Sequence, residues 1–309
     1  MEDKASGISF VSLFRHFYIA LLKGISRLPF PVLYLISDFL AFLMYRVIGY
    51  RTDVVRTNLE RSFPEKSQQE IKVIMHRFYR YFADTTLETI KGYSISRKEL
   101  SKRVIYKGIE TMNVFAEQGR SILLFGMHYG NWEWSGLAQL TMKHQYQVIY
   151  NPMRNNPEFD VFMRQIRERW GAKTVPVHKS GKVVLGYRSG EAPNCVVLAE
   201  DQRPPSVTPF WTTFMNQEAC FNVGVEKVAR KTRQPIFLHH CKRIKRGYYE
   251  MTFSLLVENP AELSEQEIML TYVRAIEERI REAPEYYLWS HRRWKQVRPV
   301  GYELVTGDR

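Results

Sequence analysis

His128 and Glu133, five residues apart in the stretch SILLFGMHYGNWEW from Ser121 to Trp134, are the residue types that general-base chemistry needs. An imidazole with a carboxylate in reach takes a proton from a hydroxyl while the carboxylate orients the ring. That suits attack of the hydroxyl on an acyl carbonyl. On one helix the two would lie about 140° apart around the axis and share no face. They meet only if the chain turns between them, and Gly130-Asn131 permits the turn. Asn131 is a good N-cap, which makes Glu133 a first-turn residue of a following helix. There the positive helix end favours an ionised carboxylate. An arbitrary histidine and glutamate at this spacing are more often a structural pair. The apolar run that ends just before His128 adds weight to the catalytic reading.

Other constellations offer less. Cys195, Cys220 and Cys241 are scattered, form no CxxC and lack an evident activating neighbour. Such an odd set suits a reducing compartment, and a cysteine nucleophile is the weaker route. His239-His240-Cys241 looks metal-like, but on a strand alternate side chains point to opposite faces. HExxH, GxGxxG and Walker loops are absent from the sequence, so no metal or cofactor is expected. Acyl transfer by a base requires neither. Backbone N–H groups near Gly130, or a basic side chain, would stabilise the oxyanion.

The pair needs a frame. From about Val104 short β-like runs alternate with helices. The predicted strands are Ser121–Phe125, Tyr146–Tyr150, Thr174–Val177, Asn194–Leu198, Pro235–His240 and Tyr248–Leu255. The predicted helices between them are Asn131–Lys143, Pro157–Trp170, Gly181–Gly190 and Val223–Thr232. This reads as an α/β fold, a layered and largely parallel sheet flanked by helices. Sites in such sheets lie beyond the carboxyl ends of strands, where His128 falls. Upstream, Ser67-x-x-Glu70 resembles a capping box opening a helix through Ile71, Ile74, Met75, Phe78, Tyr81 and Phe82 towards Thr89. Glu88 on it reads as a solvated or locally paired carboxylate. No internal repeat or Ser/Gly linker divides the chain. A single domain over 1–309 follows, of which 1–50 is a helical, membrane-associating section.

Phe10, Phe14, Phe17, Leu21, Ile25 and Leu28 recur at helical spacing, with Arg15, His16, Lys23 and Arg27 on the opposite arc. A basic amphipathic helix of this kind suits a bilayer interface, and the pattern also describes a surface helix packed on its own core. Residues 30–48 are the most apolar run, close to the ~20 residues that span a bilayer. Asp38 in its middle costs roughly 2.5–3.5 kcal/mol on an insertion scale, so spanning and lying half-sunk are both compatible with it. The start, MEDKASG, resembles no secretory signal. The 309 residues carry 45 Lys plus Arg against 32 Asp plus Glu, a net charge of +13, and 14% aromatics. The charge alone suits nucleic acid, an anionic membrane or an acidic partner. Charge with aromatics fits a membrane surface, whereas a nucleic-acid binder would leave HYGNWE without a purpose. Basic runs at Lys227–Arg233 and Lys242–Arg246 are candidate docking sites for an acidic protein or anionic lipid, or solvated faces.

Five blocks in order, RTNLERSFPEKS, HYGNWE, NPMRNNPEFDVFMRQIRERWG, LAEDQRP and YLWSHRRWK, resemble the lipid A biosynthesis acyltransferases of Gram-negative bacteria, the lauroyl and myristoyl transferase family. The resemblance covers about Arg15 to Lys295. It implies a fold similar to the glycerolipid acyltransferases and acyl transfer from an acyl-acyl carrier protein to a hydroxyl of a lipid A precursor in lipopolysaccharide biosynthesis. It further implies the cytoplasmic face of the inner membrane as the place of work. An aminolipid or glycolipid acceptor, or a non-catalytic basic binding protein, are the alternatives. Carried across, His128 matches the family's catalytic histidine and Glu133 its acidic partner. Arg167 matches an arginine of the third block and Asp201 a later aspartate. Arg167 could hold a phosphate or carboxylate by a two-pronged fork, with Arg164 and Arg169 competing for that role. Asp201 could position the substrate headgroup or cap a loop, and Asn131 completes the expected substrate-binding set. Pro204-Pro205 stands where family members often carry a glycine-bearing stretch, and residues 208–221 match only loosely.

Overall fold

The computed structural model describes residues 10–185 and 192–307, with side chains from Arg15 onward. Ten α-helices are described, α1 Phe10–Arg27, α2 Phe30–Phe42, α3 Thr52–Ser62, α4 Gln68–Lys91, α5 Arg97–Arg103, α6 Ile109–Glu117, α7 Pro157–Glu168, α8 Ser180–Leu185, α9 Val225–Thr232 and α10 Glu265–Glu282. The strands are β1 Val104–Lys107, β2 Ile122–Gly126, β3 Gln145–Tyr150, β4 Lys173–Pro176, β5 Asn194–Ala199, β6 Trp211–Phe214, β7 Gln217–Cys220, β8 Ile236–Lys245, β9 Tyr248–Val257 and β10 Leu304–Val305. All six predicted strands and their separating helices are present within a few residues of the expected ends. The predicted helix over Gly181–Gly190 is described only to Leu185, and its remainder lies outside the described residues.

Seven strands form one sheet in the order β1-β9-β8-β2-β5-β3-β4. Strands β8, β2, β5, β3 and β4 run parallel, and the β8–β9 hairpin turns the last two strands the other way. Every residue of β2 is buried, as expected of a central parallel strand with helices on both faces. Its alternate side chains divide between two cores. Leu123 and Phe125 pack with α4 and α10 residues, while Ile122 and Leu124 pack with Met112, Phe115 and Phe237. Helix α4 starts at the expected capping box, with Ser67 and Glu70 each bonding the other's backbone N–H.

The elements α3, α5, α6, α10, β1, β6, β7 and β10 were not expected. Strands β6 and β7 form a hairpin whose turn places Met215 and Asn216 at φ 51° and 60°. That left-handed pair is the turn a tight hairpin prefers, built here without the glycine that usually signals it. Helix α10 carries its own capping box at Ser264 and Glu267 and buries Ile268, Tyr272, Ile276 and Ile280. The capping box and apolar spacing of α10 are legible in the sequence.

Helix α2 and the π-helical turn Leu43–Val47 form the one segment, Phe30–Val47, that is long and apolar enough to cross a membrane among the described residues. One face is nonetheless docked on the protein. Leu33, Ser37 and Ala41, at helical spacing, are buried. Ser37 donates to Asp84 of α4 at 2.6 Å, and Tyr34 donates to Glu88 at 2.9 Å. Asp38, the charge that argued against insertion, accepts two bonds from Arg246 at 3.0 and 2.8 Å. The opposite face leaves Leu35 73%, Phe39 60% and Phe42 55% exposed.

Candidate active site

The register of β2 against β5 builds the site. Gly126 and Ala199 are paired neighbours at the ends of these parallel strands. His128 and Asp201 each lie two residues beyond, so the chain brings them together across 73 residues of sequence. His128 Nδ1 lies 2.8 Å from Asp201 Oδ1, and the His128 backbone N–H donates to Oδ2 at 3.0 Å. An ionised carboxylate only accepts, so Nδ1 carries the proton and Nε2 is left as the basic nitrogen. Trp132 stands edge-on to the imidazole at 5.2 Å between centroids. The His128 side chain is 23% exposed and that of Asp201 only 1%.

Electrostatics follow from this contact. Burial disfavours the imidazolium, but the Asp201 carboxylate, with Glu133 behind it, outweighs burial and raises the His128 pKa above its usual value. Burial alone would push Asp201 up. The charge and hydrogen bonds of His128 hold it below the usual carboxylate range. The aspartate is thus held ionised, and the arrangement is one that suits a histidine to take up a proton.

Glu133, expected to orient His128, has a different partner. Arg167 Nε and Nη2 donate to its two carboxylate oxygens at 2.9 and 2.6 Å. This fork closes on a buried glutamate. Burial would raise the Glu133 pKa, and Arg167 brings it below normal. The Glu133–Arg167 pairing has a geometric cause. The segment after the corner is a 3-10 helix, Trp132–Leu140, rather than the expected α-helix from Asn131 to Lys143. The Trp134 carbonyl, which α-helical bonding would need, accepts from the Tyr106 hydroxyl at 2.8 Å. Glu133 therefore turns towards α7.

Asn131 makes no cap bond. Expected among the substrate-binding residues, it is fully buried and its Nδ2 donates to Glu88 Oε2 at 2.8 Å. Among the competing arginines, Arg164 pairs with Asp160 at 3.2 Å and Arg169 donates to the Gly92 carbonyl, leaving Arg167 as the one turned into the site. Gly130 adopts φ 59°, and a Cβ there would lie 2.4 Å from the Cys241 carbonyl oxygen, so the corner requires glycine. Its N–H, one of the expected oxyanion donors, is spent on the Tyr286 carbonyl at 3.1 Å. Burial pushes the Cys195 and Cys241 thiols far above their usual pKa, which leaves neither suited to nucleophilic attack. His239 stacks on Phe253 while His240 approaches Tyr129, as alternation along β8 dictates.

Glu88, expected to be solvated or locally paired, is paired and buried. It is 1% exposed and accepts from Tyr34, Asn131 and Tyr249, the last at 2.6 Å. Burial raises its pKa to about 7. The helical arc through Phe78 and Tyr81 reaches residue 88 one further repeat along, which is the signal that would have found it.

The sequence profile of the bacterial lipid A biosynthesis acyltransferases matches residues 7–296. The chain belongs to this family. It is an acyltransferase with a helix-flanked α/β sheet. The acyltransferase is 27% identical over 287 residues to the lipid A biosynthesis lauroyltransferase of Escherichia coli K12, covering 92% of this chain and 91% of that one. It is 24% identical over 280 residues to the palmitoleoyltransferase of the same organism, covering 89% and 88%. Among solved structures, the 1-acyl-sn-glycerophosphate acyltransferase PlsC of Thermotoga maritima overlaps with a TM-score of 0.37 and 15% identity, over 81% of this chain and 94% of that one.

Proposed function

We propose that this acyltransferase moves a fatty acyl chain from an acyl carrier protein thioester to a hydroxyl of a lipid A precursor, at the cytoplasmic face of the inner membrane. The observation that carries the chemistry is the contact of His128 Nδ1 with Asp201 at 2.8 Å, which leaves Nε2 as the base. Nε2 takes the proton from the acceptor hydroxyl as its oxygen attacks the thioester carbonyl. The tetrahedral intermediate collapses, the carbon–sulfur bond breaks, and the carrier leaves as a thiol with the proton from His128. Asp201 holds the ring and stabilises the imidazolium between the two transfers. A basic side chain faces the oxyanion, and Arg167, held by Glu133, is the candidate.

The names of the relatives support the acceptor class. Residues 1–50 act as the membrane-associating section of a single domain. Leu35, Phe39 and Phe42 present the apolar face of α2 to the lipid, and Arg46 and Arg51 lie at its end. The reducing cytoplasm suits three free, buried cysteines.

The test is product mass. Full-length protein, recovered from the membrane fraction, is incubated with acyl carrier protein loaded with one defined chain and with a lipid A precursor. One added acyl mass on the precursor is expected. An unchanged precursor, with transfer seen only onto some other lipid, would contradict the proposed acceptor.

A further inference from the structure

The last of the five sequence blocks, YLWSHRRWK, is not used by the chemistry above, yet the fold lays it against the catalytic corner. The Tyr287 hydroxyl donates to the Asp201 carbonyl at 3.3 Å, and Gln296 Nε2 donates to the Pro204 carbonyl at 3.2 Å. The segments 201–204 and 287–296 are thereby pinned together at both ends. Tyr129, next to His128, forms a β-bridge with Tyr287. Arg203 lies within the first segment, and His291 and Arg293 lie within the second. Trp289 anchors the second segment, fully buried and bonded through Nε1 to the Pro284 carbonyl at 2.6 Å.

Buried nitrogens of these side chains have no hydrogen-bond partner among the described residues: the donors Arg203 Nε and Arg293 Nε and Nη1, and His291 Nδ1, whose role depends on the tautomer. Arg293 is 2% exposed. It spends Nη2 on the Cys220 carbonyl at 2.7 Å and rests over the Phe221 ring at 4.3 Å. Burial, first of all, lowers the His291 pKa to about 4, with Arg293, His128 and Arg203 acting in the same direction and Asp201 against them, so its ring is neutral at pH 7. Buried polar atoms are ordinarily satisfied, and leaving one without a partner carries a real penalty. Both Asp201 oxygens bond to His128, and no hydrogen bond runs from these arginine nitrogens to Asp201. Two guanidiniums beside one committed carboxylate leave a net positive charge.

We propose that Arg203 and His291, with Arg293 beneath them, form a subsite beside His128 that receives a phosphate group of a substrate. The proposal rests on the reading of His128 as the base. Several donors converging from separate side chains suit the multiple oxygens of a phosphate, and guanidinium groups pair well with them. Two sources share this chemistry, a phosphate of the lipid acceptor and the phosphodiester in the arm of the acyl carrier donor.

Steady-state kinetics on the full-length protein separate them. Arg203→Ala and His291→Ala are each assayed with donor and acceptor varied in turn, and folding is checked by circular dichroism. Arg203→Ala is expected to raise one KM by about tenfold, the loss of one charge-assisted hydrogen bond, with a smaller change in kcat. Arg203→Lys should recover part of the loss. A rise in the acceptor KM that vanishes with an acceptor stripped of its phosphate assigns the site to the acceptor, and a rise confined to the donor KM assigns it to the donor arm. Unchanged KM for both substrates in folded Arg203→Ala overturns the proposal, even should His291→Ala fail to fold. The base reading fails separately, if His128→Ala retains full transfer.

Discussion

Two carboxylates stand near His128, and their surroundings give them different work. Asp201 meets the imidazole directly, through Nδ1 and the backbone N–H. Glu133 meets Arg167, with side chains 7% and 21% exposed. Removing one partner of such a buried pair strands the other charge and costs about 3–5 kcal/mol, with the lower end expected where water reaches the arginine. Glu133→Gln should therefore lower unfolding stability by about 3 kcal/mol in a urea titration, as Arg167 loses its counter-charge. A change below about 1 kcal/mol would mean that the fork contributes as little as an exposed ion pair. The residue types of the site were legible, since the corner HYGNWE pointed to His128 and Glu133. Their pairing was not, because which acid reaches the imidazole depends on the register of β2 against β5 and on the 3-10 path of residues 132–140.

At the scale of elements, α4 joins helix α2 to the HYGNWE corner. Its Asp84 accepts from Ser37, Arg243 and Arg246, and its Glu88 accepts from Tyr34, Asn131 and Tyr249. Helix α2, the β8–β9 hairpin and the HYGNWE corner are all tied to this one helix. Burial raises Glu88 from its usual 4.5 to about 7, so native Glu88 keeps a proton that the unfolded chain has released. With the native state binding more protons, stability falls as pH rises from about 4.5 to about 7. Glu200, also raised to about 7 by burial, adds to the same slope. Glu88→Gln keeps the hydrogen-bonding shape without the titration. Melting temperatures recorded across this window should fall less steeply in that variant than in the wild type. Equal slopes would place the titration elsewhere. The strands that frame the site were readable from alternating apolar runs. The β6–β7 hairpin was not, because its left-handed turn is built from Met215 and Asn216 rather than from glycine.

Across the whole molecule, α2 leaves an apolar face outward, and the ends of β2 and β5 bring His128 to Asp201. Asp38 illustrates why sequence alone left the fate of residues 30–48 open. Its cost in a membrane depends on Arg246, 208 positions away in the chain. The docked face of α2 buries Leu33, Ser37 and Ala41 and leaves Leu35, Phe39 and Phe42 outward, the arrangement of a helix lying along the domain. The central claim is that Asp201 makes His128 the base, and the pH dependence of kcat/KM tests it most directly. Neutral His128 is the active form, so the wild-type rate should fall as pH drops through a His128 pKa raised above the usual 6.5. Asp201→Asn should cut the rate on the order of 10²–10⁴-fold, the usual worth of a positioned base, and move the acid limb to lower pH. An Asp201→Asn protein that keeps both the wild-type rate and the wild-type acid limb would contradict the account.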